Sequence, residues 1–160
     1  MTIEMKNIKV HLGLSEETYA YTATVYLNGK KAAEVSNRGH GGCDMQYPAN
    51  GTTIKELDAY CAANFPAWEL WEGEMKDQDL EHWCGGQVSD HLVLKDMRRA
   101  LKARPMFTVP DREGLLGLKF KGVRKYDPRM ADIVRERYPD ATILNELPED
   151  KALAIYSAEG

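Results

Sequence analysis

Five side chains of the sequence are of the types that bind zinc: His40, Cys43, Cys61, His82 and Cys84. Thiolate and imidazole are preferred zinc ligands, and four of them at tetrahedral angles form a structural site. Neither histidine–cysteine pair has the Cys-x-x-Cys spacing of a zinc knuckle. Cys61 also falls on an apolar helical stripe, where a free cysteine behaves as a small core side chain. We predict separate structural roles and no metal or other cofactor, with zinc binding as the alternative.

A cysteine nucleophile is a second alternative, because Cys43 follows His40 by three residues in a glycine-rich loop. A nearby imidazole can lower the pKa of a thiol, and such a loop leaves the thiol accessible. The sequence shows no third group that would orient the histidine. The His-x-Glu and Pro-Cys-x-x-Cys motifs of zinc deaminases are absent as well. We therefore expect no catalytic residues.

The glycine loop itself is a candidate ligand site, with backbone N–H groups that could converge on an anion. Its candidate residues are Arg38, Gly39, His40, Gly41 and Gly42. No Lys-Ser or Lys-Thr follows the glycines, so the loop is not a P-loop. It also lacks the spacing of a dinucleotide-binding fingerprint. Turn formation is the simpler interpretation of the glycines.

The strongest candidate for a binding surface is an acidic segment with tryptophans between residues 67 and 88. Residues 51–90 contain two basic and nine acidic residues, a net charge of −7. Tryptophans among carboxylates in a segment of weak periodicity can bind a basic partner surface. They can equally anchor a long loop to the core. The candidate protein-binding residues are Glu69, Trp71, Glu72, Glu74, Asp77 and Asp79.

A basic block over residues 91–125 provides the competing surface, with ten basic and three acidic residues and a net charge of +7. If its cations share a face, they can contact nucleic-acid phosphates, and Phe107, Phe120 or Tyr126 can stack on bases. Phe107 and Phe120 also suit the core. The candidate nucleic-acid-binding residues are Arg98, Arg99, Lys102, Lys119, Lys121, Arg124 and Lys125. The two charge blocks can instead face and neutralise each other.

The whole chain has the composition of a globular protein: 160 residues, 43% hydrophobic, 29% charged and a net charge of −4. No apolar run reaches the roughly 18–20 residues that cross a bilayer. The first residues lack the basic start and apolar core of a signal peptide. Three cysteines at irregular spacing fit a reducing compartment. We expect a cytoplasmic protein that does not enter membranes.

The first third of the chain predicts an antiparallel β-meander. Ile8-Lys9-Val10-His11-Leu12 alternates, and residues 19–27 place aromatic and β-branched side chains on both faces of a strand. Asn28-Gly29 predicts a type I′ hairpin turn with a return strand over residues 31–36. Thr53 and Glu56 form a capping box that opens a helix ending before Phe65-Pro66.

The remaining chain predicts a mixed unit. Residues 67–88 predict an irregular acidic connection with at most one short helix, and we expect a helix from His91 to about Ala103 to follow it. A strand over residues 106–109 pairs with one over 116–123, and further helices start at Asp127-Pro128 and Pro148. The fold class is α+β: a β-meander with a helix (1–66), the acidic connection (67–88) and a smaller mixed unit (89–160), or one compact domain.

The hairpin and the loop that follows it resemble a family of small uncharacterised proteins of bacteriophages and mobile elements. Those proteins pair a Y-x-A-x-(L/V)-Y-x-(D/N)-G-K-K hairpin, here residues 21–31, with an (N/D)-x-G-x-G-G loop, here residues 37–42. A basic helix, a strand with Phe107, a lysine-rich strand over 119–125 and Ile143-Leu144-Asn145 follow in a similar order. The resemblance implies a phage or mobile-element origin and supplies no catalytic residues.

The sequence therefore predicts a non-enzymatic phage or mobile-element accessory protein that binds a host protein in the host cytoplasm. It can act as an inhibitor of host defence or of nucleic-acid machinery, because an acidic surface can imitate the charge of phosphates. The alternative is a nucleic-acid or nucleotide-binding module that uses the basic block over 95–125. A zinc-dependent or cysteine-dependent enzyme is a third possibility.

Overall fold

The structure is a computed structural model that describes residues 2–160, and it has the expected α+β fold. The chain forms two compact units, of which the first ends at His91 and the second comprises Leu92–Gly160. Among residues 2–160, no helix combines the length and the apolar character needed to cross a membrane.

The first unit is built on the predicted antiparallel meander. Its strands are β1 (Ile3–Val10), β2 (Ala20–Leu27), β3 (Lys30–Arg38) and β4 (Met45–Pro48), hydrogen-bonded in chain order. Leu27 pairs with Lys30 across a two-residue turn, and the φ angles of Asn28 (51°) and Gly29 (79°) are both positive. These are the angles of a type I′ turn, so the predicted hairpin is confirmed.

The first strand differs from its prediction, because β1 ends at Val10 and begins five residues before Ile8. Its pairing with β2 shifts register between Lys6 and Lys9, where Asn7 has a φ of 55°. A bulge of this kind breaks the alternation of side chains. The sequence pattern therefore showed only the part of the strand that follows the bulge.

Helix α1 (Ile54–Asn64) begins and ends as predicted. Thr53 and Glu56 form both halves of the capping box, and Phe65 follows the last turn. Leu57 and Cys61 are fully buried, which confirms the predicted apolar stripe.

The segment predicted to be an irregular connection is instead a hairpin followed by a long helix. Its elements are β5 (Trp68–Trp71), β6 (Glu74–Lys76) and α2 (Leu80–Ala103), so the helix begins eleven residues before the predicted His91. Gly85-Gly86 disfavours a helix by about 1 kcal/mol per glycine. However, Leu80, Trp83, Cys84 and Val88 are buried at helical spacing. Burial of each large apolar side chain contributes roughly 1.5–3 kcal/mol, which outweighs the glycines.

The second unit contains the rest of α2, a three-stranded antiparallel sheet and two further helices. The strands are β7 (Met106–Val109), β8 (Arg112–Gly117) and β9 (Thr142–Ile143), in the order β8-β7-β9, and the helices are α3 (Pro128–Arg137) and α4 (Glu149–Glu159). The helix starts predicted at Asp127 and Pro148 are confirmed.

The predicted strand over residues 116–123 is wrong in register. Val109 pairs with Arg112, so Pro110-Asp111 is a two-residue turn and β8 begins immediately after it. The hairpin therefore ends at Gly117, and the lysine-rich residues 119–125 form a loop with a turn at Lys121-Gly122 rather than a strand.

The side chain of Asn145 closes the C-terminal end of α2. Its Nδ2 donates to the carbonyls of Leu101 (2.8 Å) and Arg104 (3.0 Å), and its Oδ1 accepts from the Met106 backbone N–H (2.8 Å). The last carbonyls of a helix have no partner within the helix. Asn145 therefore satisfies groups that burial would otherwise make costly.

We expect Asn145→Ala to lower the free energy of unfolding by roughly 2–4 kcal/mol, since three backbone groups lose their partner. The matched control is Asn64→Ala, because Asn64 makes a single exposed bond to the Tyr60 carbonyl. We expect that control to cost less than about 1 kcal/mol. Urea unfolding followed by circular dichroism measures both, and equal losses would contradict the role of Asn145.

Candidate functional site

Residues 68–77 of the acidic segment form a hairpin of β5 and β6, which we call the acidic hairpin. It combines acidic residues with exposed apolar side chains. Trp71 is 71% exposed, Met75 60% and Leu70 50%. The turn between the strands contains Gly73, whose N–H donates to the Glu69 carboxylate at 2.6 Å. Single exposed apolar residues are ordinary on a protein surface, but three large ones on one short hairpin expose much apolar surface for so few residues.

The other two tryptophans of the segment, Trp68 in β5 and Trp83 in α2, make contacts within the first unit. The ring of Trp68 stacks on His82 at a centroid distance of 4.0 Å and an interplanar angle of 9°. Trp83 is buried and stacks on Phe65. Two of the tryptophans therefore anchor the segment to the first unit, and the third, Trp71, is exposed.

One carboxylate of the segment, that of Asp79, has partners within the first unit, and three others are exposed. Asp79 accepts a hydrogen bond from the His82 backbone N–H at 2.8 Å and forms an ion pair with Lys76 at 3.2 Å. Burial raises the pKa of Asp79, but these two partners outweigh it and hold the pKa below its usual value. Asp79 therefore serves the start of α2, as an N-cap residue does. Within residues 2–160, Glu72, Glu74 and Asp77 are exposed and form no ion pair.

The predicted basic block also divides into paired and unpaired cations. Arg98 makes a bidentate contact with Glu149, at 2.8 and 2.7 Å, and Arg99 contacts Asp96 at 2.5 Å. These two arginines are therefore neutralised within the second unit. In the described part of the chain, the remaining candidates form no ion pair; they are Lys102, Lys119, Lys121, Arg124 and Lys125.

Two of these unpaired cations line a pocket of about 230 Å³ in the second unit. Its lining consists of Ala103, Arg104, Lys119, Phe120, Val123, Arg124 and Met130. Phe120 is half-buried here, whereas Phe107 is in the core with Ala131, Val134 and Ile143. The sequence did not place Met130 at this site, since only the fold of the second unit brings it together with Arg104, Lys119 and Arg124.

The glycine loop uses its polar groups internally. Asn37 accepts from the Gly39 N–H (2.8 Å) and the Thr18 hydroxyl (2.8 Å), and donates to the Gly42 carbonyl (2.9 Å) and the Asp44 carboxylate (3.0 Å). A Cβ at Gly39 would lie 2.4 Å from the Leu14 carbonyl oxygen. The glycines thus allow close packing, and the amide of Gly39 is not free for an anion.

The two large side chains of the loop, Arg38 and His40, line a groove. This apolar groove of about 390 Å³ is also lined by residues of β2 and the Leu12–Leu14 turn, and His40 contacts Glu16 at 3.0 Å.

The zinc-type residues are not assembled. Cys43 is exposed, Cys61 and Cys84 are buried, and His82 is stacked on Trp68. Among residues 2–160, no group of three or more histidine, cysteine, aspartate or glutamate side chains is arranged to hold a metal.

Cys84 belongs to a buried polar contact that the sequence did not indicate. The Tyr21 hydroxyl donates to the Asp44 carboxylate at 2.5 Å and also contacts the Cys84 thiol. Burial, reinforced by Asp44, raises the pKa of Tyr21 well above its usual range. Burial also raises the pKa of Cys84 far above that of an ordinary thiol and that of Cys61 to about 11. Both thiols are therefore protonated and unreactive at neutral pH.

Comparison of the chain with protein-family models, with curated proteins and with solved structures finds no match.

We expect an aromatic disulfide reagent to modify only Cys43 quickly in the native protein, because the other thiols are buried and protonated. Cys61 and Cys84 react when the protein is unfolded in urea. Absorbance of the released thiolate measures both phases, and Cys43→Ser should abolish the fast one. Fast modification of a second thiol would contradict the buried assignment.

We also expect the free energy of unfolding to fall as pH rises from about 9 towards 11. An unfolded thiol ionises near 9.0, whereas burial, with smaller contributions from Asp58 and Asp79, holds the pKa of Cys61 at about 11. A raised pKa stabilises the fold below the unfolded value and loses that effect as pH increases. Urea midpoints between pH 7.5 and 10.5 measure the slope. Cys61→Ala/Cys84→Ala should have a shallower slope, and parallel slopes would contradict the assignment.

Proposed function

We propose that this chain is a non-enzymatic binding protein that engages a basic surface of a host protein through the acidic hairpin. The observation that carries the proposal is the 71% exposure of Trp71 on an anchored, acidic hairpin. Tryptophan is among the residues that contribute most to binding energy at protein interfaces. An exposed tryptophan beside Leu70 and Met75 supplies the apolar centre of such an interface.

The hairpin is ordered before binding, which lowers the entropy cost of association. A two-stranded hairpin alone is marginally stable in water. Here the Trp68–His82 stack holds one strand, and the Lys76–Asp79 ion pair at 3.2 Å holds the other. Gly73, with a φ of 87°, permits the tight turn beside Trp71.

The charge of the hairpin favours a basic partner. Glu72, Glu74 and Asp77 are exposed without an ion pair in the described chain, and they lie within two residues of Trp71 or Met75 in the sequence. Carboxylates at the rim of an interface accelerate association with a positively charged surface and oppose association with a negative one. An acidic rim around an aromatic centre therefore selects lysine- and arginine-rich surfaces.

The host assignment rests on the resemblance to small phage and mobile-element proteins. Host defence and nucleic-acid machinery contain basic surfaces that bind phosphates, and an acidic hairpin can compete for them. The non-enzymatic assignment is supported by the structural roles of the candidate groups. The glycine loop is held by hydrogen bonds to Asn37, and Cys61 and Cys84 are buried.

The test is affinity capture from a nuclease-treated bacterial lysate with the wild type, Trp71→Ala and the control Tyr47→Ala. Tyr47 is a second exposed aromatic residue of the first unit, at 58%. We expect a discrete protein that the wild type and the control retain and that Trp71→Ala loses. Removal of a central tryptophan costs about 2 kcal/mol or more, a roughly thirtyfold weaker complex, measured by titration with the isolated partner.

A second variant separates the role of charge from that of the apolar patch. Glu72→Gln/Glu74→Gln should slow association and reduce its salt dependence, with little change in the dissociation rate. Retention of the same proteins by the wild type and Trp71→Ala would refute the proposal, as would a partner whose binding is independent of both variants.

A further inference from the structure

The pocket of the second unit combines cations with an aromatic ring, and we call it the basic pocket. Arg104 directly follows α2, Met130 is in α3, and the loop between β8 and α3 contributes Lys119, Phe120, Val123 and Arg124. The aliphatic part of Arg104 lies against Gly117, where an added Cβ would be 3.3 Å from its Cδ. The guanidinium is thus directed by packing on the last residue of β8.

The loop that carries most of the basic pocket is fixed at both ends by hydrogen bonds to the last turn of α2 and to the residues that directly follow it. The Leu118 N–H donates to the Pro105 carbonyl at 3.2 Å, and the Tyr126 N–H to the Lys102 carbonyl at 2.7 Å. Between them, the Val123 N–H donates to the Phe120 carbonyl at 3.1 Å, and Gly122 has a φ of 77°. A loop held in this way presents its side chains in a defined arrangement.

Within residues 2–160, the cations of the pocket lack an ion-pair partner, unlike Arg98, Arg129 and Arg135 of the same unit. Arg98 binds Glu149, Arg129 binds Asp127, and Arg135 binds both Asp132 and Glu146. By contrast, Arg104, Lys119 and Arg124 form no ion pair with any residue between 2 and 160. Lys102, Lys121 and Lys125 are exposed and unpaired as well. A group of like charges without counterions repels itself, and binding of a polyanion relieves that repulsion.

We propose that the basic pocket binds single-stranded nucleic acid. Arg104, Lys119 and Arg124 contact phosphates, and one unstacked base lies against Phe120 on the apolar side formed by Val123 and Met130. Single-stranded binding combines a positive groove for the backbone with aromatic side chains on which bases stack. A duplex keeps its bases stacked inside, so it cannot use Phe120 in this way. The site lies in the second unit and is independent of the acidic hairpin.

The residues that this activity requires differ in part from those that the sequence predicted. Arg98 and Arg99 head the basic block in the sequence, but their charges are neutralised by Glu149 and Asp96. The unpaired cations of the loop and Arg104 carry the site instead. Substitution of the loop cations therefore affects binding, whereas removal of equally many exposed charges elsewhere in the unit does not.

The test is fluorescence anisotropy with a labelled oligothymidylate of about 12 nucleotides, with the full chain at 50 and 200 mM salt. We expect binding that weakens at least tenfold between the two salt concentrations, because phosphate contacts release counterions. Lys119→Glu/Arg124→Glu should weaken binding more than tenfold. The matched control, Lys95→Glu/Lys151→Glu, makes the same charge change on α2 and α4 and should change affinity less than threefold.

Stacking is tested by Phe120→Leu, which keeps an apolar side chain in the half-buried position and removes the ring. It should weaken binding about fivefold or more, since stacking contributes roughly 1–3 kcal/mol per base, and leave the salt slope unchanged. A duplex of the same length should bind more weakly than the single strand. Circular dichroism confirms that each variant is folded.

Four outcomes would overturn the proposal: no binding at 50 mM salt, salt-independent binding, an equal loss in the control variant, or equal affinity for duplex. Competition by a mononucleotide at the affinity of the oligonucleotide would also overturn it in favour of a nucleotide site. If Trp71→Ala loses protein capture but binds the oligonucleotide as the wild type does, the acidic hairpin and the basic pocket act independently.

Discussion

Helix α2 depends on side chains that reach its ends from distant parts of the sequence. At its start, the Leu80 N–H donates to the Asp58 carboxylate at 2.9 Å, and Asp79 caps the first turn. At its end, Asn145 satisfies two carbonyls. Each terminus of an isolated helix leaves backbone groups unsatisfied. The buried first half of α2 belongs to the core of the first unit, and its C-terminal end fixes the loop of the basic pocket, so both candidate surfaces rely on these bonds.

The exposed charged side chains of this protein fall into two classes: those that form an ion pair within their own unit and those that do not. Arg98, Arg99 and Arg135 are paired, and surface pairs of this kind contribute little to stability. The cations of the basic pocket and the carboxylates of the acidic hairpin have no such partners among residues 2–160. They retain their full charge for an external ligand. The opposite signs of the two surfaces are the reason why we propose a basic protein as the ligand of one and a polyanion as the ligand of the other.

Turn and capping motifs in the sequence correctly predicted the hairpin turn and the helix starts that they form. Features that depend on contacts between distant residues were predicted only in part. Asn28-Gly29, the Thr53–Glu56 capping box and Asp127-Pro128 act within four residues, and the structure confirms all three. The start of α2 was missed because Gly85-Gly86 obscured a regular series of buried side chains. The role of the basic block was only partly predictable, since Arg98 finds Glu149 across 51 residues. Its unpaired members could be identified only once those pairs were known.

The closure of α2 by Asn145 also sets an order of events during synthesis on the ribosome. The meander of the first unit joins neighbouring strands by short loops, so its contacts form as soon as those strands emerge. The end of α2 must wait for Asn145, which follows Leu101 and Arg104 by 44 and 41 residues. Domains fold from the N-terminus during translation, and contacts between distant residues form last. We therefore expect the first unit, with its exposed tryptophan, to fold on the nascent chain before the second unit is complete.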